Sequence, residues 1–306
     1  MSDSLLTTYI RNEEQNVYVY DVRLISDMLM HGARPNKEAE LRETAIKGVL
    51  RYFWRAVFGK TVRRKRDLFV KESQLFGGTD PKLKSPLSIK IEQEKTFNYT
   101  TNYLPHKTES NQNRPKPALR AGGTFQLELR IPSYMSQKKL EEYKNYLELT
   151  MLLGSFGQRA RRGFGSIQVG VYEDETAFLN EVTKRLEYCG KKVERQNNSL
   201  YLGKQNRVNP PTIERIYVGR KESEMNDILK TIHHATHEHN ARGDLGYVNF
   251  RPFRKWSSPL WCTIKKVQDG YIPVVTELIS EETGKRKHYE YRKRSFLTHL
   301  GVDVYE

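Results

Sequence analysis

Gly154-Ser155-Phe156-Gly157-Gln158-Arg159-Ala160-Arg161-Arg162-Gly163-Phe164-Gly165-Ser166 packs four glycines and three arginines into thirteen residues with no acid among them. Glycine lets backbone N–H groups approach an anion without a Cβ in the way, and arginine adds forked, permanently charged donors that suit phosphate oxygens. The stretch therefore reads as a phosphate-facing loop. Upstream, Ser136 is placed as the N-cap of a helix running to Leu153, with Leu140, Tyr143, Leu147 and Met151 recurring on one face. Downstream, Ile167 to Tyr172 alternates as a strand. The loop thus joins a helix end to a strand start.

Working back from it, Thr124 to Ile131 is the clearest strand, with Phe125, Leu127, Leu129 and Ile131 pointing one way. Pro86 to Glu94 also alternates as a strand, Glu72 to Asp80 reads as a loop, and Thr100 to Gly123 as an exposed excursion poor in apolar residues. Thr44 caps a helix ended by Gly59, whose buried stripe is Ile46, Leu50, Phe53 and Val57. Asn16 to Ile25 is a β-branched and aromatic strand. The order strand, helix, strand, strand, helix, strand is the βαββαβ ferredoxin-like unit, also the frame of the RNA-recognition motif.

The C-terminal part repeats this order: strand 213–218, helix 223–240, strands 258–267 and 271–279, helix 287–300, and a closing strand from Val302 to Tyr305. The expected fold is α+β, with two tandem ferredoxin-like domains. These are an N-terminal domain over 1–173 carrying the glycine-rich loop at 154–166, a connecting helix and linker over 174–212, and a C-terminal domain over 213–306.

The composition agrees with a folded, polyanion-binding chain. Net charge is +15 with a pI near 9.6, and 18 tyrosines supply flat amphipathic rings. No apolar run approaches the ~20 residues of a membrane span and no signal peptide is evident, so a cytoplasmic protein is expected. Cys189 and Cys262 are too few for a disulfide scaffold or a zinc cluster.

Lys47, Arg51 and Arg55 stand four apart on the first helix and form a ladder along one flank. No acid within the helix pairs with them, Glu43 sits just before it, and Lys60 to Arg66 adds five more cations. Like charges so placed repel by a few tenths of a kcal/mol per pair, a cost a polyanion would remove. Arg162 to Val169 overlays the RNP1 pattern at its first four places, but Ser166 and Val169 replace the aromatics that would stack bases. The loop is thus expected to grip a backbone rather than read bases. A Walker loop is excluded, because the Gly-Lys-Ser/Thr ending is missing and the helix comes before the strand. Phe250 to Trp261 interleaves cations with aromatics, as surfaces that stack bases do, although Trp256 and Trp261 fit a core or a subunit contact equally.

His233, His234, His237 and His239 crowd one helix end, but no His-Glu-x-x-His order and no third ligand is evident, so they read as structural or surface residues and no metal or cofactor is expected. His31 is the one histidine placed where RNA cleavage by general acid–base chemistry is conceivable, and no partner for it is apparent.

Four segments, Ala45–Ala56, Glu72–Gly77, Gly154–Ser166 and Lys255–Leu260, resemble the RAMP superfamily of CRISPR proteins, most closely the subunit-one group of the Cmr (type III-B) effector complexes. The resemblance implies a non-catalytic subunit at the head end of the complex. There it would grip CRISPR RNA, or the duplex of that RNA with target RNA, near its 3′ part, and contact other Cmr subunits in antiviral defence. Target cutting belongs to the backbone subunits of such complexes. At Met30-His31-Gly32-Ala33 the sequence departs from the family, which has a second glycine before Gly32. The candidate RNA contacts are Lys47, Arg51, Arg55, Gly154, Gly157, Arg159, Arg161, Arg162, Gly163, Phe164 and Gly165, and further RNA or subunit contacts are Arg63, Arg64, Arg254, Lys255 and Trp256. The alternative is a metal-independent CRISPR RNA endonuclease using His31.

Overall fold

The computed structural model describes residues 7–59, 64–102, 115–203, 211–240, 243–250 and 253–304, with backbone alone for 248–250, 253 and 254. The first part of the chain contains β1 (Thr7–Arg11), β2 (Gln15–Leu24), α1 (Glu43–Phe58), α2 (Lys65–Phe76), β3 (Gly78–Thr79), β4 (Lys82–Leu83), β5 (Ser88–Lys95), β6 (Asn98–Asn102), β7 (Pro115–Leu119), β8 (Thr124–Pro132), α3 (Gln137–Leu153) and β9 (Ile167–Val169). There follow α4 (Glu175–Tyr188), β10 (Glu194–Gln196), β11 (Ser199–Tyr201), β12 (Thr212–Val218), α5 (Met225–His239), β13 (Tyr247–Phe250), β14 (Phe253–Trp256), β15 (Leu260–Val267), β16 (Gly270–Ile279), α6 (Glu281–Gly284) and α7 (Tyr289–His299). The protein is a mixed α/β chain built on antiparallel sheets.

The first sheet runs β1-β2-β8-β5, and β9 shares the β1 edge of β2, pairing residues 22–24 while β1 pairs residues 16–20. On β8 the expected alternation holds, with Phe125, Leu127, Leu129 and Ile131 buried against Leu50 and Trp54 of α1 and Leu140, Leu147 and Met151 of α3. Side chains of this size contribute roughly 1.5–3 kcal/mol each when withdrawn from water. The second sheet runs β10-β11-β12-β16-β15 and is covered on both faces. One face meets α1, α3 and α4 through Phe53, Leu149, Leu153, Phe178, Ile216, Trp261 and Val274. The other meets α5 and α7 through Ile228, Ile232, Cys262, Ile264, Val275, Phe296 and Leu297. Helices α1 and α3 are therefore sandwiched between the sheets; α1 still buries one broad side, whereas the buried residues of α3 run nearly all round it from Leu147 to Leu153. Glu148 of α3, fully buried, accepts from the Tyr20 hydroxyl and pairs with Arg185 of α4 at 2.6 Å, and Arg185 also reaches Glu181 at 2.6 Å.

Several expectations are corrected. Thr44 lies inside the first turn of α1, since Glu43 already has helical geometry and Arg42 holds the N-cap position without a side-chain bond. Ser136 does hold the N-cap position of α3, but its side chain makes no cap bond. Glu72 to Phe76 belongs to α2 rather than to a loop, because Glu72 is drawn into the core beneath two arginines and the helix stops only at Gly77, φ +82°. The stretch 100–123 is not simply an exposed excursion: β6 and β7 form a ribbon, and Ala118 and Leu119 are fully buried, with Leu119 exchanging backbone bonds with Met28. Residues 103–114 of that stretch lie outside the described residues, as do 204–210 of the expected linker.

Residues 302–304 form no closing strand. The free edge of β12 is already occupied by β11, and the chain end is instead held by Val302 N–H bonding to the Leu297 carbonyl. Helix α4 appears nearly where expected, whereas β1, the β10–β11 hairpin, the β13–β14 hairpin and α6 were not anticipated.

Candidate nucleic-acid interface

The glycine-arginine loop is stitched to both halves of the molecule. Gly165 N–H donates to the Asp27 carbonyl at 2.8 Å and Gln158 N–H to that of Leu29 at 2.7 Å, both beyond β2. Gly163 N–H donates to the Cys262 carbonyl at 3.2 Å, and Cys262 N–H returns to that of Arg161 at 3.3 Å, both on β15. At Gly165, with φ +67°, a Cβ would stand 1.8 Å from the Phe156 carbonyl oxygen, and at Gly157, with φ +91°, one would stand 2.7 Å from that of Leu29. Both conformations and both close approaches require glycine. The expected cradle of glycine N–H groups is therefore not present at Gly154, Gly163 or Gly165, whose N–H groups are satisfied by Thr150, Cys262 and Asp27. Phe164 is buried among α5 and β15 residues and stacks edge to face on His233.

The loop's side chains, by contrast, border an open groove of about 1350 Å³. Its walls are Ala45, Gly48, Val49 and Tyr52 of α1, residues 157–162 of the loop, Thr236 and Asn240 at the end of α5, and Tyr247, Lys255, Trp256, Ser257 and Ser258 around the β13–β14 hairpin, with Trp261 and Arg286. No acid is among these lining residues, and five are cations. Arg161 lies between the Tyr52 and Trp261 rings, 5.0 and 4.8 Å from their centroids, and donates to the Ser258 carbonyl. Arg162 donates to Ser258 Oγ at 3.0 Å and to the Leu245 carbonyl at 3.3 Å. Arg159 is left-handed, φ +56°, with Nη2 3.1 Å from His233 Nδ1. Arg286 covers Tyr247 and Trp256 at 4.8 and 5.0 Å and is held by Glu282. Lys255 is exposed. A floor of rings beneath forked cations, with no carboxylate among the lining residues and Glu282 paired to Arg286 beside them, suits a nucleic-acid strand.

The α1 ladder lies elsewhere. Arg51 Nε and Arg55 Nη1 each stand 2.6 Å from Oε1 of Glu72, which is 1% exposed. Lys47 Nζ donates to Ser85 Oγ at 2.5 Å and to the Leu87 carbonyl at 3.4 Å, and burial followed by the nearby Arg51 charge lowers its pKa. The two arginines of the ladder are thus paired, by an acid 17 and 21 residues away in sequence. None of the three lines the groove, so they are not collaborators of the loop within it. Arg64 is exposed at the N-cap of α2, Arg63 lies outside the described residues, and only the backbone of Arg254 is described, in β14.

The alternative catalytic residue, His31, spends Nε2 on the Pro117 carbonyl at 2.8 Å. His233 is buried against the loop, while His234 and His237 are exposed. Tyr52, Tyr247 and Arg286 are groove residues that sequence reading missed. Tyr52 stands between the ladder residue Arg51 and the stripe residue Phe53 and belongs to neither pattern, and Arg286 lies in a Lys-Arg-Lys run with no structural context.

Residues 21–168 match the model of the RAMP superfamily. The fold over nearly the whole chain is similar to that of Cmr1 from Pyrococcus furiosus in its apo form, with a TM-score of 0.59 and 15% identity, covering 93% of this chain and 99% of that one. It is similar as well to a chain of the type III-B Cmr-beta complex bound to cognate target RNA and AMPPnP in the presence of ssDNA, with a TM-score of 0.59 and 11% identity over 97% and 98% of the two chains. A chain of Cmr-beta bound to cognate target RNA gives 0.58 and 12% over 93% and 100%. No curated protein sequence matches the chain. Among the described residues no helix is long and apolar enough to cross a membrane.

Proposed function

We propose that this chain is a non-catalytic RNA-binding subunit of a type III-B CRISPR ribonucleoprotein, occupying the place of subunit one. It holds CRISPR RNA, or its duplex with target RNA, near the 3′ head end, and meets other Cmr subunits there. The observation that carries this reading is the acid-free groove bordered by Arg159, Arg161, Arg162, Lys255 and Arg286 over Tyr52, Tyr247 and Trp256. The likeness to chains of complexes bound to target RNA supports it. We read the frame as two ferredoxin-like units, over 1–173 and 213–306, joined through 174–212. The strand order β9-β2-β8-β5 supports the first unit, and β12-β16-β15 the second, with β11 standing where a closing strand would lie.

The test is salt-dependent RNA binding by Arg159→Ala/Lys255→Ala. Each lost phosphate contact flattens the log–log salt slope by about 0.7 for a single strand, so the double variant should lose about 1.4. An unchanged slope with unchanged affinity removes the groove from RNA binding. No catalytic role is assigned to His31, and labelled repeat RNA incubated with the protein in chelator should stay intact. Specific cleavage abolished by His31→Ala would reverse that assignment.

A further inference from the structure

Helices α5 and α7 end beside each other, α5 on Glu238 and His239 and α7 on His299. Each of these three side chains brings one ligating atom to within 4.8 Å of the other two. His299 Nδ1 is 3.6 Å from Glu238 Oε2, and the rings of His239 and His299 meet edge to face with centroids 5.6 Å apart. His239 Nε2 is buried and has no hydrogen-bond partner among the described residues.

Two helix C-termini meet at this point, and each carries partial negative charge that favours a cation. Two imidazoles and one carboxylate form a donor set suited to a first-row divalent ion, with the fourth position of a tetrahedron left to water. Bond lengths of about 2.0–2.1 Å put ligand atoms roughly 3.3 Å apart, so the 3.6 Å between His299 Nδ1 and Glu238 Oε2 is already close and no pair, all lying within 4.8 Å, need close by more than about 1.5 Å. Glu238 and His299 can make that movement, with side chains 63% and 33% exposed. Arg292, whose charge also reaches His239, opposes a dication and limits its affinity.

We propose that Glu238, His239 and His299 form a zinc-type divalent-metal site that clips the end of the C-terminal helix α7 to α5. The site is distinct from the RNA groove and serves stability rather than chemistry.

The test is zinc titration of the full-length protein by calorimetry, with metal content after dialysis and the melting temperature as independent readings. One equivalent of Zn²⁺ should bind and the melting temperature should climb with zinc concentration, as mass action on the folded state requires. His299→Ala should weaken binding by at least a hundredfold, since even partners outside the ligand shell are worth about 10–100-fold. Glu238→Gln, at an exposed position, should do the same without threatening the fold. His234→Ala, an exposed histidine on the same helix, should change nothing. Absence of stoichiometric zinc, binding that survives both ligand substitutions, or equal loss in His234→Ala would each overturn the site.

Discussion

Lys47, Arg51 and Arg55 on α1 and Arg159, Arg161 and Arg162 in the loop are both runs of three cations, the first with only Glu43 near it on its helix and the second with no acid in its loop, yet they have different fates in the fold. The α1 arginines converge on Glu72, one buried carboxylate brought in by α2. The loop arginines find rings, carbonyls, a serine hydroxyl and an imidazole. One buried carboxylate offsets part of the first set's charge, whereas the second set stands at the border of a groove whose lining residues include no acid. Counting charges along a chain does not separate the two, because what decides is whether a distant carboxylate folds onto them.

Four measurements break or sharpen that contrast. The largest effect is expected from Gly165→Ala, which drives a methyl into the Phe156 carbonyl at a left-handed residue and should cost more than about 3 kcal/mol or abolish folding, as urea denaturation would register. Next is Arg51→Ala/Arg55→Ala, which strands Glu72. Loss of the partners of a buried charge costs about 3 kcal/mol, near the low end of the usual range because both arginines are about 30% exposed. RNA affinity of the folded double variant should stay at the parent value. A loss of affinity with stability intact would restore the ladder as an RNA contact.

Lys265 represents a third fate. It is fully buried with no acid beside it, bonds the carbonyls of Met151 and Ile167 at 2.6 and 2.7 Å, and burial pulls its pKa down to about 7. A lysine that releases its proton more readily when folded makes the unfolded chain bind more protons above pH 7. Stability therefore rises with pH from about 7 toward the ordinary lysine range, by up to about 1.4 kcal/mol per pH unit. Between pH 7 and 9 the parent should gain about 2 kcal/mol relative to Lys265→Met in paired urea melts. Parallel pH profiles would show the lysine to be neutral in both states or charged in both. The smallest effect is expected from Arg161→Lys, which gives up the planar fork between Tyr52 and Trp261 and should cost about 1 kcal/mol, readable as a shift in urea midpoint.

The legible parts of the fold were those where one periodicity sufficed. β8 alternates because one face is core, and the helices expected at 136–153 and 223–240 are present as α3 and α5 within a few residues at either end. The ends and the additions were less legible. Val302 to Tyr305 has strand composition, but its edge was already taken by a hairpin from 194–201, a competition no local window contains. In the site, the loop was visible as glycine and arginine, whereas its N–H groups turned inward because Asp27, Leu29 and Cys262 supply carbonyls from remote segments. Glu72 was visible as a residue but not as a partner, since pairing depends on how α2 packs against α1.

The two bonds between the loop and Cys262 have a consequence for solubility. β15 ends its sheet, and its residues Leu260 to Val267 would offer a row of unpaired amides to any passing strand. The loop lies along that margin and, through Arg161 and Gly163, occupies it. A chain whose loop is displaced would therefore bare the β15 edge as well as lose core packing at Phe156 and Phe164, and oligomers on a sizing column would accompany its loss of stability.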